Sequence, residues 1–160
     1  MQKKPVLGEQ FTTLDLGMDT FGAWTANIDA NVDASDTVAL RLNAYGQGLD
    51  NHRDFYDGNS YAVNPTALFQ LGDASKLFVS YEYVEDDRVV DRGVPSVIRQ
   101  GGPNTPLAGF DETFFGSPDR NDTQFEAHLL RTRFDHTFSE GLRANVTVQY
   151  ADYDKAYQNL

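Results

Sequence analysis

A chain of 160 residues has the length of one domain. Its 40% apolar and 12% aromatic content argues against disorder. Thirteen basic against 24 acidic side chains leave a net charge of −11, which argues against nucleic acid as a partner, and the lack of cysteine removes disulfides and thiolate metal sites.

The expected elements are strands throughout, with almost no helical periodicity. Gln10 to Asp19 sets Leu14, Leu16 and Met18 on one face. The stretch WTANIDANVDA, Trp24 to Ala34, alternates without a miss. Trp24, Ala26, Ile28, Ala30, Val32 and Ala34 share one side, and Thr25, Asn27, Asp29, Asn31 and Asp33 the other. Thr37 to about Gln47 sets Val38, Leu40, Leu42 and Ala44 against Arg41, Asn43 and Tyr45. Tyr61 to Leu71 carries Val63, Ala67 and Phe69 on one face, and Pro65 inside it points to an edge or a bulge. Lys76 to Asp87 alternates Leu77, Val79, Tyr81 and Tyr83 with Phe78, Ser80 and Glu82. Thr123 to Phe138 alternates poorly at first, then sets Leu130, Thr132, Phe134 and Phe138 against Arg131, Arg133 and Asp135. Leu142 to about Tyr153 ends the series, with Val146, Val148 and Tyr150 against Asn145, Thr147 and Gln149.

Such strands have one apolar and one polar face, and either face can be the wet one. In a soluble sandwich the apolar face is core; in a membrane barrel it meets lipid and the polar face lines the lumen. The connections favour the barrel. Ala34–Asp36, Gly72–Ser75 and Ser139–Gly141 are tight turns. At the other end stand long connections at about 48–60 and 88–122, with only Thr20–Ala23 short. Short turns at one end and long loops at the other is the plan of an outer-membrane barrel. Trp24, Tyr45, Tyr61, Tyr81, Tyr83 and Tyr150 fall near the loop ends, and those facing lipid would form an aromatic girdle. There is no apolar run long enough for a membrane helix, and a mean hydropathy of −0.50 does not exclude a barrel, since only every second residue need be apolar.

The segment VSYEYVEDDRVVDRGVPS, Val79 to Ser96, resembles the TonB-dependent siderophore receptors of the Gram-negative outer membrane. ALRLNAYGQGLDNHRDF, Ala39 to Phe55, is similar to that family's third strand running into its second outside loop. VQYADYDKAYQN, Val148 to Asn159, is similar to a later strand with its outgoing loop. The opening QKKP resembles the end of the plug, just before the first barrel strand. The resemblance implies an all-β antiparallel up-and-down meander of about seven strands, one segment of a barrel of about 22 strands. Residues 1–9 would end the plug or link it to the barrel, and 10–160 would be partial barrel. It implies outer-membrane lipid, a ferric siderophore and, through the plug, the TonB complex as partners. The siderophore would be transported cargo, and no resident cofactor is expected. No plug and no energy-coupling box occur in the chain, and seven strands do not close a bacterial barrel. The chain is therefore expected to be a piece of a receptor that does not transport alone. MQKKPVLGEQ lacks the apolar stretch of a signal peptide, in keeping with a piece of a longer exported chain or with one not exported.

Within that frame Arg88 and Arg92 are candidates to attract an anionic ferric chelate, although pairing with neighbouring carboxylates is the stronger expectation. Asp29, Asn31, Arg41, Asn43, Arg131, Arg133 and Asp135 would face the lumen and the plug in a network of charge-assisted hydrogen bonds. Glu85, Asp86, Asp87 and Asp91 read as a solvated loop charge run rather than a Ca²⁺ site. His52, His128 and His136 share no metal-ligand spacing, so no metal site is expected. Nothing positions a catalytic group, and an enzyme ranks last. A piece of a passive porin-type barrel and a soluble all-β binding module are the alternatives.

Overall fold

The structure is a computed structural model that describes residues 3–98 and 101–159, so Met1 and Gln2 of the expected linker lie outside it. Among the described residues there is no helix. Seven strands form one antiparallel sheet in the order β1(Phe11–Met18), β2(Trp24–Ser35), β3(Val38–Asp50), β4(Asp57–Gln70), β5(Ser75–Val89), β8(Asp122–Ser139) and β9(Leu142–Gln158). The long β5–β8 connection carries a two-residue ribbon, β6(Ser96–Val97) with β7(Thr105–Pro106). Every strand of the sheet pairs with its neighbour along this order, which is the expected meander. Strands β2 to β5 are 12 to 15 residues long, and β8 and β9 have 18 and 17. A tilted strand crosses a bilayer in about 9–11 residues, so each is long enough.

The turn chemistry sets the polarity of the meander. Asp36–Thr37, Leu71–Ala74 and Glu140–Gly141 close one end, and Gly72 there adopts a φ of +79 that side-chain-bearing residues avoid. The register shifts at Asp33/Ser35 and Thr137/Ser139, next to two of these turns. The opposite end carries Asp19–Ala23, Asn51–Tyr56 and Val90–Asn121.

The loop expected at 48–60 is shorter in the structure, because pairing continues from Gly48↔Asn59 to Asp50↔Asp57. Three glycines around this stretch are sites of close approach. A Cβ on Gly46 would stand 3.3 Å from the Trp24 ring, and a Cβ on Gly48 or Gly58 would collide with Trp24 or Arg88. Pro65 is not at an edge: β4 lies between β3 and β5. The ladder to β5 is instead interrupted between Val63↔Tyr83 and Thr66↔Ser80. Proline has no N–H to offer there. The Asn64 side-chain amide donates to the Tyr81 carbonyl at 2.6 Å in its place.

One sheet has two faces and no second layer. Among the described residues the buried apolar ones are few, Ala39, Ala127 and Phe78. A soluble module would hide its apolar face, yet here Leu16 is 72% exposed and Val148 66%.

Candidate functional site

The register sorts the side chains cleanly. Pairs such as Ile28↔Ala44, Ala30↔Leu42, Ala67↔Val79, Leu77↔Phe134 and Thr132↔Val148 build one apolar face. Trp24, Tyr61, Tyr81, Tyr83 and Tyr150 join it, whereas Tyr45 pairs with Asn27 on the opposite face. Tyr45 is thus on the side that the alternation assigned to it and is no part of the girdle; its hydroxyl donates to Gln47. Beyond these aromatics the same face turns acidic, with Glu85 opposite Glu126 and Asp154 opposite Glu126 in turn. On β1 and β2 the apolar stretch continues to Met18 and Trp24, but on β9 it stops at Tyr150. The boundary thus climbs obliquely across the register, as tilted strands in a barrel wall require.

The opposite face is polar and gathers the expected inward set. One row runs Asn31↔Arg41↔Thr66↔Ser80↔Arg131, so side chains from β2 and β8 share it. Asp29 and Asn43 pair directly, and Arg133 and Asp135 lie along the same side of β8. Arg41 forks onto Asp29 at 2.7 and 2.8 Å, Arg131 donates to Gln149, and Arg133 pairs with Asp135 at 2.7 Å. A 410 Å³ cavity on this face is lined by Asp15, Asn27, Asp29, Asn43, Asn64 and Glu82 among others. The Asn43 amide nitrogen is buried there without a hydrogen-bond partner.

A strap from Lys3 to Gln10 lies on this face, a feature the sequence pattern did not indicate. Asn31, 2% exposed, accepts from the Val6 amide at 3.0 Å and donates to the Val6 and Glu9 carbonyls at 2.8 and 2.6 Å. Gly8 donates to Asp33, Lys3 pairs with Asp29 at 2.7 Å, and Arg41 donates to the Lys4 carbonyl. Most of these bonds read backbone, which has no signature in a sequence. Gly8 turns the strap into β1 with a φ of +83.

At the loop end the candidate cations separate. Arg88 pairs with Asp86 at 2.6 Å, the neighbouring-carboxylate outcome. Among the described residues Arg92 meets no carboxylate; it donates to the Tyr157 hydroxyl at 3.3 Å, across 65 residues of chain. The acidic run is divided, since strand alternation puts Asp86 on the face away from Glu85 and Asp87, and Asp91 is taken by Arg53. Among the described residues no group of three or more His, Asp or Glu side chains is placed to hold a metal ion. His128 shares hydrogen bonds with Tyr81 and Glu126, and His136 with Ser75.

Arg53 was not a candidate from the sequence, because its partners lie 38 to 60 residues away. Its guanidinium forks onto Asp91 and donates to the Asp111 and Thr113 carbonyls at 3.0 and 2.8 Å. Burial pushes the Asp91 carboxyl up, but hydrogen bonds from Arg53 and the Gly93 amide, with the Arg53 charge, outweigh it and hold it below the usual carboxylate range. A carboxylate with a depressed folded-state value stabilises above its unfolded value, about 3.9, and loses that contribution as pH falls through the folded one. Amide-exchange protection of the two loops, corrected for the intrinsic rate at each pH, is therefore expected to be constant from pH 7 to about 5 and to fail only below about 4. Opening already near pH 6 would count against the Arg53–Asp91 pair as its cause.

No family model matches the chain. It is similar to the catecholate siderophore receptor Fiu of Escherichia coli strain K12, with 26% identity over 157 residues, covering 90% of this chain and 20% of that protein. It is also similar to the probable TonB-dependent receptor BfrD of Bordetella pertussis, at 24% identity with 89% and 20% covered. The crystal structure of the ferric-catecholate import receptor Fiu from E. coli K12 superposes in its open form with a TM-score of 0.84 at 24% identity, over 98% of this chain and 25% of that one. Its closed form gives 0.82 at 25% identity, over 97% and 23%. The chain spans about one fifth of the length of the relatives it matches. The chain is thus a homologue of the TonB-dependent siderophore receptors, matching one stretch of such a receptor in sequence and in fold.

Proposed function

We propose that this chain supplies barrel wall and outer loops to a TonB-dependent receptor that takes up ferric siderophores across the Gram-negative outer membrane. The observation that carries the reading is the bare apolar face, capped by Trp24, Tyr61, Tyr81, Tyr83 and Tyr150, backing onto a polar face that holds a strap of its own chain. Lipid satisfies the first face, and the second suits a lumen. A barrel of about 22 strands would enclose a plug, and residues 1–9 would connect the two. Asp29, Asn31, Arg41, Asn43, Arg131, Arg133 and Asp135 would face that interior, and the plug would link the receptor to TonB. Arg88 and Arg92, at the loop end, would meet the incoming anionic chelate. The relatives' names point to catecholate chelates of Fe³⁺ as cargo.

A soluble module is disfavoured because no described residue covers the apolar face, and a passive porin because the similarity runs to siderophore and TonB-dependent receptors. An antibody to this chain, used on fractionated source cells, tests the proposal. The expected band lies in the outer membrane, has several times the 17.9 kDa of this chain, and rises on iron starvation. A soluble band at the chain's own mass would overturn the reading.

A further inference from the structure

Two outer connections, Asn51–Tyr56 and Val90–Asn121, are tied together around one side chain. Arg53 leaves the first and enters the second. Its side chain is 9% exposed and that of Asp91 8%. The fork onto Asp91 fixes the start of the long connection, while the Asp111 and Thr113 carbonyls fix its far half. Beside it the Asp54 amide donates to the Glu112 carbonyl at 2.7 Å. Phe55 sets its ring edge-on to Phe114, with centroids 6.1 Å apart. Phe55 also has a φ of +60, which a bulky residue holds only where its surroundings over-determine it.

We propose that Arg53 is a positioning residue that fastens these two connections into one lip, so that they open and close as a single body. A planar guanidinium serves two fixed oxygens and two further carbonyls at once, whereas an ammonium is a point charge and cannot. The lip deepens the uptake reading, and rests on it only for its consequence: a chelate at the mouth would be retained or released by both connections together.

The chain has no cysteine, so Asp54→Cys and Ile98→Cys place one spin label on each connection of the full chain in its membrane. The distance distribution is expected to be single and narrow with Arg53 present. Arg53→Ala should broaden it at least twofold and speed trypsin cleavage after Arg92 and Arg120 several-fold. Arg53→Lys should restore little of either. An unchanged narrow distribution in Arg53→Ala overturns the proposal, and so does full rescue by Arg53→Lys, because a bare charge would then suffice. Phe114→Ala covers the case in which Arg53→Ala does not fold. It removes the ring contact but keeps the guanidinium, so the distribution should stay narrow, and broadening there would assign the fastening to the aromatic pair. Ferric tris-catecholate serves as the ligand probe, and its dissociation should be several-fold faster from Arg53→Ala. Failure of the unaltered protein to bind it would count against the uptake reading, while the distance measurement would still decide the lip.

Discussion

Leu42→Arg is expected to destabilise the sheet in a lipid bilayer by about 2–4 kcal/mol, the cost of a cation on the lipid side near the midplane. Asn43→Arg, one position on, is expected to stay within about 0.5 kcal/mol of the original. Leu42 pairs with Ala30 on one side and Pro65 on the other. The shallow trough around it is walled by Val32, Leu40, Ala67 and Val79 among others, and offers an arginine no carboxylate. The outer boundary is also out of reach, since Leu42 to Gly48, the partner of Trp24, spans ~20 Å at about 3.3 Å per residue. Asn43 points the other way, into the cavity lined by Asp15, Asp29 and Glu82, where an added cation finds carboxylates. Denaturant titration in bilayers measures both costs. Trp24 is the single tryptophan, so quenching of its fluorescence by brominated lipid verifies insertion in each variant. Equal costs for the two substitutions would mean that the faces are not wetted as lipid side and lumen side.

That contrast is legible in the amino-acid sequence alone, because strand alternation with period two is a local property. From Trp24 to Val32 every apolar residue lies on the face the alternation assigns to it, and the seven candidate inward residues share the other. Tyr45 lies off the girdle for the same reason: the alternation sets it in phase with Asn43 and Arg41, whatever its position near a strand end. The third strand runs on past the start of the loop expected at 48, and Gly46 and Gly48 make room there for the Trp24 ring. The place of Pro65 inside the sheet was not legible either, since the repair of its gap by the Asn64 amide is a side-chain event that no period records. The strap on Asn31 and the Arg53 fork were out of reach altogether. Both join residues more than 20 positions apart, and both end largely on backbone oxygens, which every residue carries alike. Composition and spacing describe which side chains are present, and these contacts are chosen by where the chain returns.

The strap itself yields the second large effect. Asn31→Leu nearly conserves shape, so it opens little cavity, yet it removes all three bonds to the Val6 amide and the Val6 and Glu9 carbonyls. A buried polar group left unpaired costs about 1–3 kcal/mol. Val6 is 37% exposed, so water replaces part of what is lost, and a total of about 2 kcal/mol is expected. The loss should be local. The β1–β2 ladder from Phe11↔Asn31 to Met18↔Trp24 uses backbone groups that the substitution leaves untouched. Amide exchange at Val6 and Gly8 should therefore rise sharply, with β2 and β3 amides still protected. Arg41→Met tests the other half of the cradle. It frees the Lys4 carbonyl and leaves Asp29 with Lys3 alone, a half-exposed partner that compensates only in part. If the two side chains hold one strap, they are coupled: once either has released it, the other has less to lose, and the double variant should cost less than the sum of the single ones. Additive costs with unchanged exchange at Val6 would mean that the strap is held elsewhere. Release of the strap together with the sheet would mean that β1 needs this contact to pair at all.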